Sequence, residues 1–209
     1  MPQIVYVLTN PAMPNLVKIG VTTRSEVKRR IAELSRPPGV PLPFQCHYAG
    51  EVSHRAENIE HLIHETFAKN RVPSGKEFFS IDPEQAVSAL RLAQAIDVTP
   101  QFETKLSIQE AKAIKVVERQ RRSKTILSKL GIPIGAVLTL SRDPNVKCKV
   151  LADNKVEFRG KSMSQSLAAV QALRKLGYTT RSIAGTHYWL FKGKTIGQIR
   201  REKDQKQSD

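Results

Sequence analysis

The stretch IVYVLTNPAMPNLVKIG, residues 4–20, decides how this chain is read. Ile4, Tyr6 and Leu8 alternate with Val5 and Val7, and Val17, Ile19 and Val21 alternate with Leu16, Lys18 and Gly20, the period of two expected of half-buried strands. The six residues NPAMPN between them predict a hairpin turn. If the β-branched phase faces a core, Tyr6, Lys18 and Gly20 share the opposite face. A plain amphipathic hairpin, with the tyrosine packed across from a lysine stem, accounts for the pattern equally well. The surrounding sequence has to discriminate.

Downstream, Thr22-Thr23-Arg24-Ser25 offers a helix N-cap, and Val27, Ile31 and Leu34 follow at helical spacing until SRPPGVPLPF ends the helix. A strand is expected at FQCHYAGEV, then a helix from about Ala56 to Lys69 burying Ile59, Leu62, Ile63 and Phe67. Lys76 to Ile81 reads as a short strand, and Asp82-Pro83-Glu84 opens a third helix through Ala95. Residues 1–100 therefore form one unit. A basic helical linker over 101–131 follows, predicted as one helix from Leu106 to Leu130 and stopped by Gly131 and Pro133. A second small domain over 132–200 has strands near 136–141, 147–151, 155–158 and 187–191 and a helix over 164–176. Residues 201–209, REKDQKQSD, read as a disordered polar tail, and no internal repeat is expected. The fold class is α/β (α+β).

The net charge of +15 is unevenly spread. Residues 1–100 hold 11 Lys and Arg against 10 Asp and Glu, residues 101–131 hold 8 against 3, and residues 132–209 hold 15 against 6. Clustered cations of this kind point to DNA, because counterion release from phosphates rewards them. A membrane surface fits less well, since no basic helix carries a broad leucine and aromatic face. The two cysteines, Cys46 and Cys148, are far apart, which implies neither a disulfide framework nor a zinc site. The N-terminal residues lack a signal-peptide pattern and no apolar run is long enough to span a bilayer, so a cytoplasmic protein is expected.

On the first helix Arg30 lies about 40° from Leu34, at the edge of the apolar stripe, while Arg29 points away. On the second, Glu60 lies about 60° from Ile63 and about 20° from Phe67, with His64 one turn further on. Glu57, His61 and Glu65 point outward. Each of these residues has a bland reading as a surface ion pair or a helix neighbour. Tyr6, the Lys18-Ile19-Gly20 run, Arg30 and Glu60 nevertheless recur in an order that resembles the GIY-YIG nuclease superfamily. The likeness is closest to a phage and bacterial branch with YVLTNPAMPNLVKIG, then Glu60 to His64, then Glu77-Phe78-Phe79, and it covers about residues 3–95.

The resemblance implies a three-stranded sheet flanked by helices that hydrolyses DNA phosphodiesters as an endonuclease with Mg²⁺ or Mn²⁺. Glu60 would be the metal ligand, Arg30 would stabilise the transition-state charge, and Tyr6 would handle proton transfer. This chain has Lys18 where the superfamily has its second tyrosine. That leaves the base open among Tyr6, His47, Tyr48 and Lys18, with Lys18 favoured as a phosphate contact. The usual asparagine has no clear counterpart, Asn70 and Glu77 being the nearby candidates, and His64 is a further auxiliary. The second domain resembles a RAMA-like DNA-associated module at GAVLTL, KVEFRGKSMSQSLAAVQAL and THYWLFKGKTI. Its contacts to DNA are expected from Lys147, Lys149, Lys155, Arg159, Lys161, Arg174, Lys175, Lys192 and Lys194, with Arg24, Arg119, Arg121, Arg122 and Lys124 elsewhere. Trp189 or Tyr188 is a candidate stacking residue. A restriction-type or homing-type endonuclease, acting alone or as a homodimer on DNA, is the leading reading. A DNA-binding regulator that keeps the fold without catalysis is the rival.

Overall fold

The computed structural model of the protein describes residues 2–36, 39–53, 55–73, 77–103, 106–122, 126–180 and 183–206, with backbone only at 118–122 and 205. Lys76 and Lys124, and the side chains of Arg119, Arg121 and Arg122, lie outside what is described. The chain is α+β and falls into two compact units, Met1–Ile114 and Lys115–Asp209. Among the described residues no helix is long and apolar enough to cross a membrane.

The first unit is built on β1 (Gln3–Asn10), β2 (Met13–Thr23) and β3 (Gln45–Val52), an antiparallel trio with β1 in the middle. Two-residue strands β4 (Phe78–Phe79) and β5 (Ile96–Asp97) extend this expected three-stranded core at its edges, in the order β4-β2-β1-β3-β5. The hairpin is tighter than its sequence predicts. Only Pro11 and Ala12 separate the strands, because the Asn10 side chain accepts from the Ala12 amide at 2.8 Å and donates to the Leu42 carbonyl at 2.6 Å.

The expectation of half-buried strands needs correcting, because both faces of this sheet are buried. Val5, Val7, Val17, Ile19 and Tyr48 pack under α2 (Ala56–Thr66) and α3 (Pro83–Leu92). Ile4, Tyr6, Leu8 and Ala49 pack with Val27 and Ile31 of α1 (Val27–Leu34) and with Phe44, Val98 and Phe102. The run IVYVL is apolar in both phases, as a strand buried on two sides must be.

Helix ends also shift. Thr22 and Thr23 belong to β2, so α1 starts from Glu26 without a side-chain cap. The second helix ends at Thr66, and Ala68–Asn70 forms a separate 3₁₀ turn. Asp82 and Gln85 form a reciprocal capping box on α3. The linker helix α4 spans Ile108–Arg122, and Ser128–Leu130 is a separate 3₁₀ turn closed by Gly131 at φ 79°, not the end of one continuous helix.

The second unit is a six-stranded antiparallel sheet of β6 (Val137–Leu140), β7 (Asp143–Val150), β8 (Lys155–Phe158), β9 (Lys161–Ser164), β10 (Trp189–Phe191) and β11 (Lys194–Thr195), in the order β11-β10-β6-β7-β8-β9. One face buries Leu138, Leu140, Cys148, Val150, Val156, Phe158 and Trp189 against α5 (Gln165–Arg174). Burial pushes the Cys148 thiol up to about 12, so this cysteine acts as a core residue. The expected disordered tail is helical through Gln205. Thr195 caps α6 (Ile196–Gln205), Ile196 and Ile199 reach the core, and Lys194 pairs with Glu202 at 2.7 Å. A repeat is also present after all: VEFRGKS over 156–162 and WLFKGKT over 189–195 each form a hairpin that leads into a capped helix.

Candidate active site

Tyr6 stands opposite Gly20 in the β1–β2 ladder, and Lys18 stands opposite Leu8. A side chain at position 20 would occupy the space of the Tyr6 ring, so glycine lets the phenol lie flat across β2. Arg30 precedes the buried Ile31 on α1 and donates a hydrogen bond to the Tyr6 phenol. Burial holds the phenol above its ordinary range, with the Arg30 bond opposing and the carboxylates of Glu77 and Glu60 adding to the rise. Tyr6 is therefore a neutral hydroxyl at ordinary pH. Half of the Arg30 side chain, 49%, stays exposed, and Glu33 lies 3.6 Å away.

Glu60 arrives from the other side of the sheet, on α2. β4 pairs only with Val17 and Lys18, and beyond them the Glu77 carbonyl accepts from the Ile19 amide at 3.2 Å, so side chains close what remains of the outer edge of β2. The Val21 amide bonds the Glu60 carboxylate, and His64 Nε2 donates to the Ile19 carbonyl at 3.3 Å. The two α2 residues are 15% and 13% exposed and lie 3.9 Å apart. Burial and then Glu77 raise the Glu60 pKa, with Lys18 opposing. Burial lowers that of His64, whose ring tilts on Phe79 with centroids 4.8 Å apart. His64 is thus a neutral strut that fixes α2 against β2 and so positions Glu60.

Lys18 is a partnered cation. Its Nζ lies 2.6 Å from Glu77 Oε2 and 5.3 Å from the centroid of Phe78, with only 7% of its side chain exposed against 39% for Glu77. The structure thus gathers Tyr6, Lys18, Arg30, Glu60, His64 and Glu77. Arg71, which sequence reasoning missed, also belongs here. It bridges Phe79 in the backbone ladder, lies over that ring and adds to the lowering at His64. Its signal was a cation six residues before the EFF run.

His47 and Tyr48 do not join the cluster. Tyr48 lies in the core beneath α2 and α3 with its hydroxyl on the Ala95 carbonyl at 3.3 Å, and His47 Nε2 meets Glu84 of α3 at 2.6 Å, both residues buried. Asn70 bonds the Ser80 carbonyl at 3.5 Å from an exposed turn. Arg24 is held by Glu51 and by Gln101 at 2.7 Å, so its charge is compensated. In the second unit Lys147, Lys149, Lys155, Arg159, Lys161 and Lys192 are exposed. Trp189 and Tyr188 are buried, with Trp189 Nε1 on the Gln165 carbonyl at 2.9 Å, which removes both as base-stacking residues.

Mg²⁺ characteristically takes one or two protein carboxylates and fills its shell with water and phosphate oxygens. Among the described residues no three His, Cys, Asp or Glu side chains converge on an ion. Glu60, 15% exposed and with its charge disfavoured by burial and by Glu77, is one carboxylate of the kind such an ion takes.

The described geometry of this unit coincides with a sequence match. No curated protein and no solved structure matches the chain. The family model described as the T5orf172 domain matches residues 3–94, from β1 through the end of α3, the part of the chain that carries every residue of the cluster.

Proposed function

We propose that the first unit is a GIY-YIG-type endonuclease domain that hydrolyses DNA phosphodiesters, and that the RAMA-like second unit supplies most of the affinity for DNA. The observation that carries this reading is the hydrogen-bonded Tyr6–Arg30 pair with the Glu60 carboxylate near enough for its charge to act on the phenol, Glu60 itself being held by the Val21 amide of β2. The T5orf172 match over the same residues supports a DNA-directed role, as does the basic second half of the chain.

The half-exposed Arg30 guanidinium keeps N–H donors beyond the one on Tyr6. Those donors bind a non-bridging oxygen of the scissile phosphate and offset the charge that grows there in the transition state. The neutral Tyr6 hydroxyl, fixed by Arg30, aligns the attacking water by hydrogen bonding. Glu60 would hold Mg²⁺ or Mn²⁺, which when bound supplies charge neutralisation at the phosphate and a more acidic water. Lys18, steadied by Glu77, adds a cation beside the same phosphate.

Supercoiled plasmid from modifying and non-modifying hosts tests the proposal. Mg²⁺-dependent nicked or linear product that disappears with a chelator and with Glu60→Gln is expected. Tight binding without cleavage by the wild-type protein would overturn it in favour of a non-catalytic DNA-binding protein.

A further inference from the structure

The six-stranded sheet contains three tight turns in which both central residues have positive φ, the conformation of two-residue hairpins. Asp153 and Asn154, at φ 55° and 60°, connect β7 to β8 with residue types that such turns favour. The other two turns depart from the rule in the same way. Arg159-Gly160, at φ 54° and 73°, joins β8 to β9, and Lys192-Gly193, at φ 51° and 79°, joins β10 to β11. A long basic side chain in the left-handed region carries a steric cost that asparagine or glycine largely avoids. Both basic residues are exposed, and each lies over the ring of the preceding phenylalanine, Arg159 at 4.8 Å from Phe158 and Lys192 at 5.5 Å from Phe191. The strain, the charge and the ring contact thus occur together twice.

The two turns are also equivalent by position. A half-turn about an axis normal to the sheet between β6 and β7 leaves the strand order and directions unchanged and exchanges β8–β9 with β10–β11. Four inter-strand steps separate the turns, about 19 Å across the sheet. The backbones of a DNA duplex are likewise related by two-fold axes, and its major groove is about 12 Å wide. Because β8 and β10 run in opposite directions, the two cations sit at opposite strand ends and farther apart than one groove is wide, so they suit phosphates on opposite flanks of a duplex.

We infer that the Arg159 and Lys192 turns are a matched pair of phosphate grips that hold a DNA duplex from two sides. The inference rests on the reading of this chain as a DNA-acting protein and goes further by assigning the backbone contacts to the repeat. Each phenylalanine ring steadies its cation, and the left-handed turn leaves that residue exposed at the end of its hairpin.

The test is anisotropy of a labelled duplex with the full chain over a salt series, together with thermal unfolding. Arg159→Asn and Lys192→Asn should each leave Tm unchanged or raise it. Each should weaken binding several-fold and reduce the magnitude of the slope of log K against log salt by about 0.9, with the double variant losing about twice as much. Arg159→Lys and Lys192→Arg should keep the wild-type slope. Wild-type binding with unchanged slope and affinity in the asparagine variants overturns the grips alone. A wild-type protein with no affinity for duplex DNA overturns the DNA reading and the grips with it.

Discussion

The phenol of Tyr6 lies directly over Gly20, its cross-strand partner: a β-carbon on that glycine would come within 2.5 Å of the Tyr6 hydroxyl oxygen and 2.7 Å of its ring. The ring is rigid and buried between the sheet and α1, so it cannot swing aside. Gly20→Ala should therefore destabilise the first unit by about 1–3 kcal/mol, the range for overpacking a tight site, and should displace the hydroxyl from Arg30. Chemical denaturation checks the first effect. A wild-type midpoint would show that the ring does not occupy that space.

Arg30 and Arg29 are neighbours with opposite surroundings. Arg29 is exposed and pairs within its own helix with Glu26 at 2.6 Å and Glu33 at 3.4 Å, whereas Arg30 reaches Tyr6 on the sheet. Arg30→Ala should lower plasmid cleavage on the order of 10²-fold or more while the protein still binds DNA. Arg29→Ala should cleave as the wild type does. Single-turnover rates with both variants decide it, and equal losses would place the transition-state contact elsewhere.

Much of this cluster was legible from periodicity. Tyr6 and Gly20 share a strand face, and Arg30 and Glu60 flank apolar stripes, because helix and strand geometry fix those positions whatever the partner. The edge of β2 was not legible, since nothing local to Val17 and Lys18 announces that a two-residue strand will stop there and leave the Ile19 carbonyl and the Val21 amide to His64 and Glu60. The closing of both sheet faces was present in IVYVL but hidden by reading one phase as solvent-facing. Helix α6 escaped because Ile196 and Ile199 are two apolar anchors in an otherwise charged segment, so tertiary packing and the Thr195 cap outweigh composition.

Glu60 gives a pH signature. Its raised pKa means that the folded protein holds the proton more tightly than the unfolded chain, so stability falls as pH rises from the ordinary carboxylate value of 4.5 through the raised one. The charged carboxylate is then a standing penalty at neutral pH. Glu60→Gln should raise Tm at pH 7, with the gain shrinking as the pH falls and gone near pH 4, the level below which both states are protonated. The same variant should lose cleavage, which separates a functional carboxylate from a structural one. A Tm difference that does not change with pH would show that burial of the charge is not its source.

Lys18 and Glu77 supply the last prediction, because their exposures are unequal. Removing Glu77 strands a nearly buried ammonium, while removing Lys18 leaves a carboxylate that water can still reach. Glu77→Gln should therefore destabilise more than Lys18→Met, by a margin on the order of 1 kcal/mol once solvent screening at Glu77 is allowed for. The double variant Lys18→Met with Glu77→Gln should recover part of that loss, since no charge is left without a partner. If the ammonium also binds the scissile phosphate, Lys18→Arg should keep substantial cleavage and Lys18→Met should not. Denaturation midpoints for the three stability variants and cleavage rates for the two lysine variants check both halves. A Lys18→Met loss equal to that of Glu77→Gln would show that the pair is exposed in solution and that burial of Lys18 does not set its role.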